Sequence, residues 1–168
     1  MRLLKKIVIV VATLFGIYLL GPSPKTPVYT LVQPQVPTTS GELEKYIIST
    51  EAAHKVRLNN EARIVWANDS AKQKTEYAIV YLHGFSASQE EGNPVHRNIA
   101  TTFGCNLYLS RLAEHGIDTT EQLQNLTADN YWETAKQALA IGKQLGNKVI
   151  LMGTSTGGTQ ALQLAASY

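Results

Sequence analysis

Gly153-Thr154-Ser155-Thr156-Gly157-Gly158 sets a serine between glycines, directly after the apolar run Val149-Ile150-Leu151-Met152 and before the helix-like Thr159-Gln160-Ala161-Leu162-Gln163-Leu164-Ala165-Ala166. A strand that turns straight into a helix exposes the residue at the apex of the turn. The turn is tight enough that side chains two before and two after the serine would collide, so both places need glycine. Gly153 and Gly157 meet that demand. A serine held there can attack a carbonyl carbon, form an acyl-enzyme and release it to water once a base takes its proton. Ser155 is the candidate nucleophile.

Other residues that could join such chemistry are few. The histidines are His54, His83, His96 and His115. His83 and His115 lie in turn-like stretches and are expected to hydrogen-bond loop backbone rather than to transfer protons. His54 and His96 fall in predicted helices with no acidic or cysteine partner at ligand spacing, so no metal site is expected. Glu90-Glu91 reads as a solvated turn whose carboxylates point apart. Tyr131 and Trp132 open a helix and read as packing residues. No Gly-Lys-Ser/Thr follows the glycines, which excludes a phosphate loop of the usual form. No cofactor is expected.

The elements that must position Ser155 follow from hydrophobic periodicity. Residues 62–66 and 77–82 read as strands, the second so continuously apolar that both its faces should be buried. Residues 95–102 read as a short helix, 105–109 as a strand and 131–145 as an amphipathic helix with Tyr131, Ala135, Ala138, Gly142 and Leu145 on one face. Asn130 with Glu133 predicts a capping box, and Gly146-Asn147 predicts the stop before the strand at 149–152. Further upstream, Ser40 is the predicted cap of a helix that presents Leu43, Tyr46 and Ile47 on one face. Strand, helix, strand, helix predicts an α/β fold with a mostly parallel sheet covered by helices on both faces.

Composition sets the surroundings. With 44% hydrophobic and 17% charged residues in 168, the chain suits one domain with a real core. Arg2, Lys5 and Lys6 exceed the whole formal charge of +2, so the body sums to −1 and gives no electrostatic case for nucleic acid. Cys105 is the single cysteine, which excludes an internal disulfide, and it reads as a buried strand thiol.

Residues 7–20 carry no charge and follow those three cations, the pattern of a membrane-directed segment. As a helix they span about 21 Å, and Leu3 and Leu4 extend the segment towards the bilayer's apolar thickness of about 30 Å. Gly21-Pro22-Ser23 offers small residues for cleavage, but Pro24 should hinder it, so residues 1–20 read as an uncleaved anchor. Cleavage would instead export the body. The positive flank places the N-terminus inside and the body outside the inner membrane of a cell envelope. Five of the six prolines fall in residues 21–39, which read as an extended linker before the globular part at residues 40–168.

Three stretches then act together. His83-Gly84-Phe85 at a strand end, Arg111-Leu112-Ala113-Glu114-His115-Gly116, and the hexapeptide around Ser155 resemble successive landmarks of α/β-hydrolase serine esterases. Residues 60–168 are most similar to the monoacylglycerol lipase and small carboxylesterase branch. The resemblance implies an α/β-hydrolase fold that breaks off after the elbow helix, and an esterase or lipase acting on a small-molecule or lipid ester. It implies Ser155 as nucleophile, with the backbone N–H groups of Phe85 and Thr156 as oxyanion-hole donors. It also orders the triad as serine, acid, histidine, so Asp118, Asp129 and all four histidines precede the place expected of them. Acid and base are expected beyond residue 168. An acyltransferase or peptidase would share the acyl-enzyme, and a non-catalytic hydrolase-like domain would share the fold. Haloalkane dehalogenases and epoxide hydrolases would place aspartate where Ser155 stands.

Overall fold

The structure is a computed structural model that describes residues 2–21 and 26–168, so the proposed Gly21-Pro22-Ser23 cleavage pattern and Pro24 fall largely outside the described residues. Helix α1, Arg2–Leu20, begins before the uncharged run, and its 19 residues correspond to about 28 Å. Its Leu3–Leu20 stretch has a mean hydropathy of 2.2 and buries nothing against the rest of the chain. By length and composition it suits a membrane anchor or a signal sequence.

Helix α2 spans Ser40–Ala52 and buries Leu43 and Ile47. Its N-cap is Thr39 rather than Ser40, and the Thr39 hydroxyl donates to the Glu42 carboxylate at 2.8 Å. His54 lies beyond the helix end and is exposed, not helical as expected. Strands β1 (Arg63–Val65) and β2 (Thr75–Leu82) follow, then a short 3-10 turn at Gln89–Gly92 and helix α3 (Val95–Phe103). Strand β3 is Asn106–Leu109, helix α4 is Ala128–Leu145, strand β4 is Gly146–Gly153 and helix α5 is Thr156–Ser167.

The four strands form one sheet in the order β1-β3-β2-β4. β2 pairs in parallel with both β3 and β4, whereas β1 is antiparallel to β3, so the sheet is mixed with a parallel centre. Alternation along β2 divides the core. Ala78, Val80 and Leu82 face α2, α4 and α5, while Ile79 and Tyr81 join Ala100, Cys105 and Leu107 on the α3 side. Helices therefore cover both faces, as the pattern predicts.

Two expected signals act differently. The capping box of α4 is formed by Thr127 with Asn130, because the helix starts a turn earlier than its apolar face suggests. Thr127 Oγ1 accepts from Asn130 N at 3.1 Å and Asn130 Oδ1 from Thr127 N at 2.9 Å. Gly146 is not a left-handed helix stop but extended backbone (φ −146°, ψ 159°) that is already the first residue of β4. A Cβ there would run into the Ala78 backbone nitrogen, so close strand contact is what requires the glycine.

The proline-rich residues 26–39 are extended, as expected, but not a free linker. They form a strap hydrogen-bonded to α4. The Val28 N–H donates to Asp129 Oδ1 at 3.1 Å, and the Trp132 indole N–H to Thr30 O at 3.0 Å. Lys136, buried to 1% exposure, donates to Val32 O at 2.8 Å and Thr30 Oγ1 at 3.0 Å, and pairs with Glu133 at 2.8 Å. A buried ammonium without partners is strongly disfavoured, so the strap is part of what lets Lys136 stay inside.

Candidate active site

Ser155 sits between β4 and α5 with φ +50° and ψ −118°, a backbone that few side-chain-bearing residues adopt. The residue is exposed, and its hydroxyl makes no capping bond to α5. Both glycines are sterically required. A Cβ on Gly153 would lie 2.5 Å from the carbonyl carbon and oxygen of Gly157. A Cβ on Gly157 would strike the Leu82 carbonyl oxygen and lie 2.5 Å from that of His83. The collision at Gly157 is thus with the end of β2, a contact no local turn argument reveals.

That contact joins the two candidate segments. Parallel pairing sets Leu82 opposite Gly153, and Thr154 N–H donates to Leu82 O at 3.1 Å. The His83-Gly84-Phe85 loop and the serine turn therefore leave the same edge of the sheet side by side. Among the described residues, neither the Thr156 nor the Phe85 backbone N–H meets an acceptor within the chain. Thr156 is also the first residue of α5, where the helix dipole favours negative charge.

Two tyrosines hold the elbow, and sequence reasoning missed that role for both. The Tyr81 hydroxyl lies 2.9 Å from Thr154 Oγ1, and the Tyr131 hydroxyl 2.9 Å from Thr156 Oγ1. The threonines on either side of Ser155 are thereby fastened to β2 and α4. Burial raises the pKa of both phenols above the ordinary value, which keeps them neutral. Glu91 also has a part. Its carboxylate accepts from the Gly84 N–H at 2.7 Å and lies 3.5 Å from the Tyr81 hydroxyl, so it pins the loop rather than only facing water. Glu90 turns away to Gln89 and Asn93, so the two carboxylates do point apart.

The histidines are engaged elsewhere. Leu112 N–H donates to His83 Nε2 at 3.1 Å, so the proton sits on Nδ1, which donates to Gly84 O at 2.9 Å. Burial lowers the His83 pKa to about 4. His115 Nδ1 donates to Ala113 O at 2.7 Å, and its buried Nε2 has no partner among the described residues. The His115 ring stacks on Tyr131 at 5.5 Å and lies 4.9 Å from His83, and Phe85 meets it edge-on at 6.0 Å. His96 bonds Gln89 O at 2.8 Å in the α3-side core. None of these rings is bonded to Ser155.

Neither a scan against protein-family models nor a search of curated proteins finds a match to this chain.

Proposed function

We propose that this chain carries the nucleophile and oxyanion half of a serine hydrolase that cleaves carboxylic esters through an acyl-enzyme on Ser155. The backbone of Ser155 carries the reading. A serine at φ +50° stores about 1–3 kcal/mol and persists only where its surroundings over-determine it. Here those surroundings are two sterically forced glycines, two threonines tied to tyrosines and a parallel strand against the turn. The arrangement fits the strand–elbow–helix context that a Gly-x-Ser-x-Gly nucleophile requires, and the α/β-hydrolase resemblance agrees with it.

In this mechanism a lone pair of Ser155 Oγ forms the bond to the ester carbonyl carbon as the carbonyl π pair moves onto oxygen. The unpaired N–H groups of Phe85 and Thr156 bind that oxyanion, each worth about 3 kcal/mol in the transition state. Collapse expels the alcohol, and water then repeats the attack on the acyl-enzyme. The proton taken from Ser155 needs a histidine base oriented by an acid. His83, His96 and His115 are bonded to backbone carbonyls, and His54 lies past the end of α2. By the serine, acid, histidine order that the resemblance implies, this proposal assigns both partners to residues after Ser155, beyond residue 168.

The test is covalent. The protein as its gene encodes it, treated with a fluorophosphonate, should carry one adduct, on the Ser155 peptide by mass spectrometry. Adduct formation elsewhere, or none in a folded sample, refutes the assignment. Ser155→Ala should remove the adduct without unfolding the chain.

A further inference from the structure

The Phe85 N–H shares a peptide unit with the Gly84 carbonyl, and a trans peptide points those two groups in opposite directions. Whatever holds Gly84 O therefore helps to aim the Phe85 N–H. Two donors hold it, His83 Nδ1–H at 2.9 Å and Ala87 N–H at 3.3 Å. The preceding peptide, which carries the Gly84 N–H, joins this one through a residue without a Cβ. Local sterics leave φ and ψ freer at glycine than anywhere else, so the hinge needs a tie on its other side too. The Gly84 N–H supplies it by donating to Glu91 Oε2 at 2.7 Å.

That tie is short and charge-assisted, the stronger kind of hydrogen bond. Glu91 sits in the 3-10 turn Gln89–Gly92 and is itself exposed, so little of its side chain is spent on the core. The same carboxylate oxygen lies 3.5 Å from the Tyr81 hydroxyl, which lies 2.9 Å from Thr154 Oγ1, next to Ser155. One carboxylate oxygen thus stands between the loop that bears the Phe85 N–H and the turn that bears the Thr156 N–H. A Cβ on Gly84 would lie 3.1 Å from both Glu91 carboxylate oxygens. The glycine that makes room for the carboxylate is the hinge that the carboxylate has to fix. Glu90 does nothing of the kind, being bonded to Gln89 and Asn93.

We propose that Glu91 is a positioning residue for the oxyanion donors: through Gly84 it fixes the direction of the Phe85 N–H, and through Tyr81 it ties that direction to the serine turn. It makes no hydrogen bond to Ser155 and acts only through the backbone it holds. A neutral ester carbonyl asks little of an N–H donor, whereas the charge that develops on its oxygen asks much, so the aim of the donor is felt in the transition state. The proposal rests on the reading of Ser155 as the nucleophile.

The protein as its gene encodes it is compared with Glu91→Ala, Glu91→Gln and Glu90→Ala, using p-nitrophenyl butyrate as substrate. Glu91→Ala should lower kcat about 10- to 100-fold, the range of a misplaced rather than a missing donor, with KM within about twofold of wild type. Glu91→Gln should recover most of that loss, because its amide oxygen can accept the Gly84 N–H, and Glu90→Ala should match wild type. The Gly84 amide, followed by proton–nitrogen NMR, should exchange with solvent faster in Glu91→Ala and be protected again in Glu91→Gln. Should the alanine variant fail to fold in urea titrations, Glu91→Leu, which keeps bulk without an acceptor, takes its place. An unchanged kcat or a loss confined to KM overturns the role in the reaction, and unchanged Gly84 exchange overturns the tie. A glutamine variant as slow as the alanine one, or an equal loss in Glu90→Ala, assigns the effect to charge and also overturns the proposal. A folded wild type that fluorophosphonate leaves unlabelled ends the Ser155 reading and this proposal with it, whatever the Gly84 exchange shows.

Discussion

Acidification should weaken the fold through His83, by an amount set by its burial. Its imidazole is held at a pKa of about 4 against an ordinary 6.5, because the charged form would have to exist inside the core. The unfolded chain takes up that proton near pH 6.5, whereas the folded chain resists until about pH 4. The stability contributed by neutral His83 is therefore complete above pH 6.5 and is lost progressively as pH falls towards 4. The gap corresponds to about 3 kcal/mol, with a steepest slope near 1.4 kcal/mol per pH unit. Burial also lowers the pKa of His115 and His96, so both act in the same direction. The assay is urea unfolding followed by tryptophan fluorescence, since Trp132 is buried in the core and reports its exposure. His83→Gln removes the titrating group while other ionisations largely cancel between the two proteins. At pH 7 the variant should be less stable by about 1–3 kcal/mol, because Leu112 N–H and Gly84 O lose a partner in a buried loop. Because wild type alone loses about 3 kcal/mol over that range, the difference should shrink as pH falls and reach zero or reverse by about pH 4. Parallel stability curves between pH 7 and 4.5 would refute the reasoning.

Ser155→Gly should abolish the fluorophosphonate adduct yet raise stability by about 1 kcal/mol, since glycine adopts φ +50° without the penalty serine bears; a less stable variant in urea would count against stored strain. Gly157→Ala should cost about 3 kcal/mol and remove the adduct as well, because its Cβ meets backbone oxygens of Leu82 and His83 that cannot turn aside. Alkaline phosphatase fused after residue 39 should be active if the cationic N-terminus stays inside, and an inactive fusion reverses the orientation. Carbonate extraction should leave the chain in the membrane pellet, and release would favour cleavage.

Much of the fold is legible because its elements obey their own periodicities. β2 is apolar on successive residues, and the structure buries both of its faces, one under α4 and α5 and the other under α3. Local signals misled where a residue has two neighbours competing for it. Gly146 follows a helix and so reads as a helix stop, yet Ala78 across the sheet is what excludes a side chain there. The strap misled in the same way. Prolines correctly predict extended backbone, but nothing within residues 26–39 announces that Asp129, Trp132 and Lys136, a hundred residues on, line up to receive it. One sign was available. Lys136 shares a helix face with residues destined for the core, and a lysine placed there needs partners from some other segment.

The candidate site divides along the same line. Ser155 and its glycines are readable because a tight turn constrains residues adjacent in sequence. The groups that hold the turn are not, since Tyr81 lies 73 residues and Tyr131 25 residues from the threonines they reach. Tyr81 alternates with Val80 and Leu82 and looks like one more apolar strand residue. Only the parallel register that puts Tyr81 opposite Met152 and Leu82 opposite Gly153 brings its hydroxyl to Thr154. Glu91 is hidden for another reason. Its neighbour Glu90 is an ordinary exposed carboxylate, and the pair reads as one solvated turn until the loop folds back and Gly84 N–H finds Glu91. Gly84 is buried, and a Cβ there would press on the Glu91 carboxylate at 3.1 Å and on Thr154 O at 3.4 Å. The missing side chain of Gly84 thus leaves room for both an anchoring carboxylate and the nucleophile turn, which is how a loop 70 residues upstream is set beside Ser155.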